Sequence, residues 1–129
     1  MLKLLLDEHI SPAVAEGLRR RHRSLVIHRS LVIHWIAEWE GGGFLGKDDS
    51  ACLMEAAEQG LTVVTYDRRT IPPLLKIWAE EGRQHGGVIF VDEKTISPPD
   101  IGGLVRALFQ LFKASGKWNW IDRVYFLGR

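Results

Sequence analysis

Asp7, Asp48, Asp49 and Asp67 each stand where an apolar or helical run begins or ends, and residue types at that spacing point to metal chemistry. Asp7 closes the leucines of "LLLDEHIS" (residues 4–11), Asp67 closes "LTVVTYD" (61–67), and Asp48 and Asp49 lead "KDDSACLMEAAEQ". An ionised carboxylate drawn into a dry interior is costly unless it is paired or coordinated. Carboxylates gathered together repel one another and raise one another's pKa, and a hard divalent cation that prefers oxygen donors, Mg²⁺ or Mn²⁺, relieves that repulsion. Each acid also has a plainer reading. Asp48 or Asp49 alone serves as a helix N-cap, Asp7 as a strand-end residue and Glu8 as a solvated side chain; the combination carries the metal reading.

The elements that must position these acids follow from the apolar pattern. Residues 2–6 are too few for a helix and read as a buried strand. Ser11 and Pro12 supply an N-cap and a first helical position, and Val14 and Leu18 give the helix an inner face through about Arg21. "RSLVIHRSLVIH" (23–34) is a tandem hexapeptide whose Leu-Val-Ile triplets are β-prone, and a six-residue period preserves strand alternation. It predicts one long strand, or a strand whose second copy runs into an irregular segment.

"EWEGGGFLGK" (38–47) is a loop, followed by a helix to Gln59 with Cys52, Leu53, Ala56 and Ala57 inward and Gly60 as its stop. Residues 61–67 form the next strand, Pro72 and Pro73 open a helix to about Glu81, and "GGVIFVDE" is a strand ending in Asp92 and Glu93. A helix over about 100–114 and a closing strand in "DRVYFLGR" complete the order. Strands alternating with helices predict an α/β fold, a three-layer α/β/α sandwich with a mostly parallel central sheet and right-handed crossovers. In such sheets ligands bind outside the carboxyl ends of the strands, so the acids of strand ends and helix starts converge on one edge.

Composition bounds the reading. The chain has 129 residues, the size of a single domain (1–129), with 46% hydrophobic and 26% charged residues, a folding composition rather than a disordered one. A formal charge of +1 gives no general pull toward nucleic acid or membrane. The lone Cys52 excludes a disulfide framework and a cysteine-rich zinc site. No apolar run approaches the ~20 residues that cross a bilayer, and no signal-peptide pattern follows Lys3. A cytoplasmic location with no membrane partner is expected.

"RRRHR" (19–23) suits either RNA phosphates or a helix C-terminus, where the macrodipole favours cations. Arg68 and Arg69 share the edge of Asp67 and are candidates to offset the acids and reach a phosphate. His9 reads as a ligand, a substrate contact or a helix-entry residue. His28 and His34 hold equivalent places in the duplication. Trp35, Trp39, Trp118 and Trp120 read as core or interface anchors before base-stacking platforms, and Cys52 as a small buried hydrophobe.

"LLLDEHIS" followed by a helix, and then "KDDSACLMEAAEQGLTVVTYD", resemble the PIN-like family of small bacterial proteins, whose pattern is an N-terminal "LLDEN", a mid-chain aspartate opening a helix, and "TxD" after the next strand. The resemblance covers the first two-thirds of the chain. It implies a PIN-like fold, one or two Mg²⁺ or Mn²⁺ ions and hydrolysis of RNA phosphodiesters, with Asp7, Asp49 and Asp67 at the acidic positions and Thr65 as the threonine of "TxD". It also implies RNA as a partner and admits an antitoxin protein and a homodimer. The family's further glutamate has no clear match here; Glu38, Glu40 and Glu8 are the candidates. Two other readings stand beside it. One is a PIN-like binding or regulatory module without catalysis. The other is a receiver-like phospho-acceptor domain built on Asp67, for which the expected lysine after the last strand is missing: Gly128 and Arg129 stand there, and Lys94 follows an earlier strand.

Overall fold

Short apolar runs become strands and the segments between them become helices in the computed structural model, which describes residues 2–24 and 30–128. The order is β1 (Lys3–Leu6), α1 (Pro12–Ser24), β2 (Val32–Trp35), α2 (Asp49–Gln59), β3 (Thr62–Thr65), α3 (Ile71–Glu80), β4 (Val88–Val91), α4 (Ile101–Ala114) and β5 (Val124–Leu127), with a 3-10 turn at Trp39–Gly42. The five strands form one sheet in the order β2-β1-β3-β4-β5, with every neighbouring pair parallel. The sheet expected to be mostly parallel is therefore wholly so.

Two apolar clusters make it a three-layer α/β/α sandwich. On one face Leu4, Leu6 and Val64 pack with Val14 and Leu18 of α1 and Leu104, Leu108 and Phe112 of α4. On the other, Leu5, Val63 and Phe90 pack with Leu53 and Ala56 of α2 and Trp78 of α3. Strands covered on both faces have no polar side, and that is why β1, β3 and β4 read as unbroken apolar runs. Close packing of α1 on α4 depends on Gly17, where a Cβ would stand 2.7 Å from Val105 Cγ2. Gly60 ends α2 in the left-handed region (φ 70°) and turns the chain into β3.

From β1 the chain steps to β2 on one side, and later returns to β3 on the other side of β1. The crevice between the carboxyl ends of β1 and β3 is thus the topological switch point, the place where ligands bind in doubly wound sheets. Its mouth is stiffened by Ser11, whose Oγ accepts from the Ala13 N–H at 3.2 Å, and by Trp35, whose Nε1–H donates to the Ile10 carbonyl at 3.0 Å.

The duplicated hexapeptide departs from expectation. Helix α1 runs through Arg23 and Ser24, so the first copy begins as helix and no strand spans 23–34. The basic last turn of α1, Arg21, His22 and Arg23, suits a helix C-terminus and extends it past Arg21. The second copy supplies β2, with His34 half-buried beside Leu5. Residues 25–29, including His28, lie outside the described residues. Among the described residues, no helix is long and apolar enough to cross a membrane.

Candidate functional site

β1 delivers Asp7 to the switch point. Its backbone N–H continues the ladder to the Val64 carbonyl at 3.2 Å, and its carboxylate accepts the His9 N–H at 3.0 Å. The buried Thr65 hydroxyl bonds the same carboxylate and itself accepts the Asp67 N–H at 2.9 Å, so one side chain ties the ends of β1 and β3 together. Burial pushes the Asp7 carboxyl up to about 6; the bonds from Thr65 and His9 counter this only in part, and the neighbouring Glu8 adds repulsion. Asp7 is therefore a carboxylate short of positive charge.

Asp67 lies in the loop between β3 and α3. Burial would raise it, but the Thr70 hydroxyl and the N–H groups of Thr70 and Arg69 outweigh that and hold its carboxyl below the usual range. The Thr70 hydroxyl also stands 2.8 Å from Asp49 Oδ2 while bonding Asp67 Oδ2. A hydroxyl has one proton to give. It can serve only one of the two carboxylates at a time, and Asp67 keeps the N–H groups of Arg69 and Thr70 as further donors.

Asp48 and Asp49 divide the work at the start of α2. Asp48 is the N-cap and accepts the Ala51 N–H at 2.8 Å, while Asp49, in the first turn, faces Thr70. Asp7, Glu8 and Asp49 then line one cleft, with Leu5 and Val63 among its apolar walls and Cys52 beside them; its volume is about 30 Å³, room for an ion or a water. Neither Asp48 nor Asp67 lines it. Of the three glutamates considered as a further acid, only Glu8 does. Glu40 instead accepts from Gln59 Nε2 at 2.7 Å, at the opposite end of α2 from Asp49, a helix length of roughly 15 Å away. Glu38 precedes the 3-10 turn in an exposed position.

Cys52 is half-buried in the cleft wall rather than in the core. Burial, with the fields of Asp49 and Glu8, pushes its thiol up to about 11, so it stays protonated against the Phe44 carbonyl at 3.7 Å. A protonated thiol is a poor metal ligand, which leaves an all-oxygen donor set of the kind Mg²⁺ or Mn²⁺ prefers. The donor chemistry fits such an ion. The gathering does not yet: among the described residues, no three His, Cys, Asp or Glu side chains lie close enough together to hold one.

The remaining predicted residues lie around this cluster. His9 is exposed, with Nε2 3.7 Å from Glu8, and acts through its backbone N–H. Arg69 is exposed beside Asp67. Arg68 turns its guanidinium over the ring of Phe126, 5.0 Å from the centroid. Thr70 is the residue that sequence reasoning missed; its signal is the spacing Asp67-x-x-Thr70 just before α3, an acid three residues ahead of a donor at a helix start.

Fold and cleft together define a doubly wound α/β protein with Asp7, Glu8 and Asp49 on a small cleft at its switch point. The chain matches no protein-family model, no curated protein and no solved structure.

Thr70→Val is expected to cost about 1 kcal/mol at pH 7 by removing the shared donor. Because hydrogen bonding lowers the Asp67 pKa, that cost is present above the ordinary carboxylate range and shrinks as the pH falls through it. Urea titrations of the two proteins at pH 7 and pH 3 measure this; an equal loss at both values would mean that Thr70 acts by packing alone.

Proposed function

We propose that the chain is a metal-dependent hydrolase of RNA phosphodiester bonds, with Asp7, Asp49 and Asp67 as the ligands of Mg²⁺ or Mn²⁺ and Glu8 as the further acid. The observation that carries this reading is the Asp7 carboxyl held up to about 6 at the switch point, on a cleft that Glu8 and Asp49 also line. A bound divalent cation supplies an activated water and offsets charge on the phosphate in the transition state. Thr65 orients Asp7, Thr70 spaces Asp49 from Asp67, and Arg69 offers an exposed guanidinium next to the acids for a phosphate oxygen. The resemblance of "LLLDEHIS" and "TYD" to the PIN-like pattern supports the same ligands and supplies the choice of RNA. An antitoxin protein that blocks the cleft belongs to this reading.

The test is cleavage of a quenched fluorescent RNA. Turnover is expected with Mn²⁺ or Mg²⁺, absent with EDTA, and reduced about 10²-fold or more in Asp49→Asn and Asp67→Asn, whose circular dichroism stays native. Asp48→Asn, which retains an N-cap, is expected to cleave normally. Hydrolysis that persists in EDTA or in both variants would remove the mechanism.

A second reading draws on the strand order. The order β2-β1-β3-β4-β5 belongs to flavodoxin-like doubly wound sheets, and a receiver-like domain would use Asp67 after β3 as phospho-acceptor with Asp7 and Glu8 after β1. The missing lysine after β5 weighs against it. Phosphate incorporation at Asp67 from acetyl phosphate would decide for it, while a fold that Mn²⁺ does not stabilise would favour the module without catalysis.

A further inference from the structure

Strands β2 and β5 form the two edges of the sheet, and the edges differ. β2 carries none of the large apolar side chains that stand exposed, whereas on β5 Phe126 is 61% exposed and Val124 41%. The Val88 N–H donates to the Arg123 carbonyl and the Asp92 N–H to the Leu127 carbonyl, both at 2.9 Å, so at Arg123 and Leu127 the backbone faces β4. Backbone direction alternates along a strand, and Val124 and Phe126 therefore turn their N–H and C=O groups to the open edge. An apolar edge with unpaired backbone groups is a template for another strand.

The flanking helices leave room beside β5 on both faces. Toward α3, a groove of about 560 Å³ runs along Val124, with Leu75, Ala79 and Asp122 among its walls. Toward α4, a groove of about 620 Å³ runs along Tyr125 and Leu127, with Ala107, Leu111 and Trp118 among its walls. Phe90 and Arg68 touch the Phe126 ring and fix its pose, yet leave more than half of the residue in solvent.

We propose that β5 pairs antiparallel with β5 of a second copy of the chain, about a two-fold axis through Tyr125, so that the two sheets become one. Backbone polarity and side chains select this register together. Residues that face the edge must form the hydrogen-bonded pairs, which allows an axis at Val124, Tyr125 or Phe126. An axis at Val124 sets Phe126 against Asp122, and an axis at Phe126 sets Val124 against Gly128. The axis at Tyr125 sets each Phe126 against the other copy's Val124, an aromatic and β-branched pair on one face, with the two Tyr125 side chains together on the other. Each Phe126 then enters the groove beside the other copy's Val124, so knob and groove on one surface complement each other, as an isologous interface requires.

Charge agrees with this pairing. Antiparallel strands bring the carboxyl end of one β5, where Arg68 covers Phe126, to the amino end of the other, where the exposed Asp122 lines the groove. Among the described residues, no carboxylate of the same chain pairs with Arg68. Lys76, on the α3 wall of the groove, is exposed on a flexible stem that keeps its ammonium in water. The cleft of Asp7, Glu8 and Asp49 lies beyond β3 and β4 from this edge, so pairing leaves both clefts open. The dimer is independent of the hydrolase reading.

Sedimentation equilibrium of the full chain tests it. The native protein is expected at twice its chain mass of 14.6 kDa when present at about 0.1 mM. Phe126→Asp, altered at an exposed site and checked for native circular dichroism, is expected to raise the dimer Kd about 30-fold or more. A disulfide reads the register. In a Cys52→Ser background, Tyr125→Cys is expected to give a covalent dimer with oxidised glutathione, because residues paired on the axis stand about 4.5 Å apart at Cα, within disulfide reach. Phe126→Cys is expected to stay unlinked, since its own copy lies two residues out of line. A native monomer, a dimer whose Kd is unchanged in Phe126→Asp, or linkage through Phe126→Cys in place of Tyr125→Cys overturns the pairing.

Discussion

Asp7→Asn is expected to make the metal-free protein more stable while abolishing the metal-dependent hydrolysis proposed for it. Burial raises the Asp7 carboxyl from an ordinary 3.8 to about 6, so the folded protein holds a proton more tightly than the unfolded chain does. Where the native state binds more protons, stability falls as the pH rises. The native protein should therefore lose stability between about pH 4 and pH 6 and stay lower above, by roughly 3 kcal/mol at most. Asparagine carries no charge to desolvate and still accepts the bonds that Thr65 and the His9 N–H make to Asp7. Thermal melts in EDTA at pH 7.5 should put the variant roughly 5–10 °C above the native protein, with the gap nearly closed at pH 4. A variant that melts lower than the native protein at pH 7.5 would mean that ionised Asp7 is already satisfied, and would take away the main argument for a cation. A more stable Asp7→Asn would mark Asp7 as a carboxylate held against stability, as functional sites are.

The order of strands and helices is legible in the sequence because each element carries a local signature: unbroken apolar runs for β1, β3 and β4, Ser11-Pro12 at the start of α1, and Gly60 after α2. That order alone places the acids of β1, β3 and the start of α2 at one sheet edge, but not close enough to hold an ion: among the described residues no three such side chains gather. The finer assignments need distances between segments far apart in the chain. Both Asp48 and Asp49 have the chemistry of a cap, and only the backbone geometry at Asp48 gives it the Ala51 N–H. Thr70 gains its role from lying beside Asp49, 21 residues away. Glu40 falls in the expected interval and is carried off by Gln59 at the far end of α2.

The duplicated hexapeptide shows the limit most directly. Ser24 is helical and its counterpart Ser30 is not, although the six residues around each are the same. Local sequence cannot separate them; α1 behind the first copy and β1 beside the second do. The exposure of Phe126 is a similar case. Alternation along β5 assigns its face, but whether α3 reaches far enough to cover it depends on where α3 crosses the sheet.

Mn²⁺ should stabilise the protein strongly at pH 7.5 and much less at pH 5, because Asp7 titrates between those values. Below about pH 6 the ion must displace a proton from Asp7, so its affinity falls about tenfold per pH unit. A concentration of 100 Kd at pH 7.5 gives about 2.7 kcal/mol of stabilisation. A tenfold weaker affinity at pH 5 leaves about 1.4 kcal/mol from the same concentration, a difference that thermal melts resolve. Near pH 6, calorimetry should also find proton release, as a binding enthalpy that changes with the ionisation enthalpy of the buffer. Asp48→Asn, altered only at the α2 cap, should keep both the stabilisation and its pH dependence, whereas Asp7→Asn should lose both. Stabilisation by Mn²⁺ that is equal at pH 5 and pH 7.5 would detach the ion from Asp7 and move the site away from the end of β1. Dependence on pH that survives in Asp7→Asn would assign the proton to a group other than Asp7.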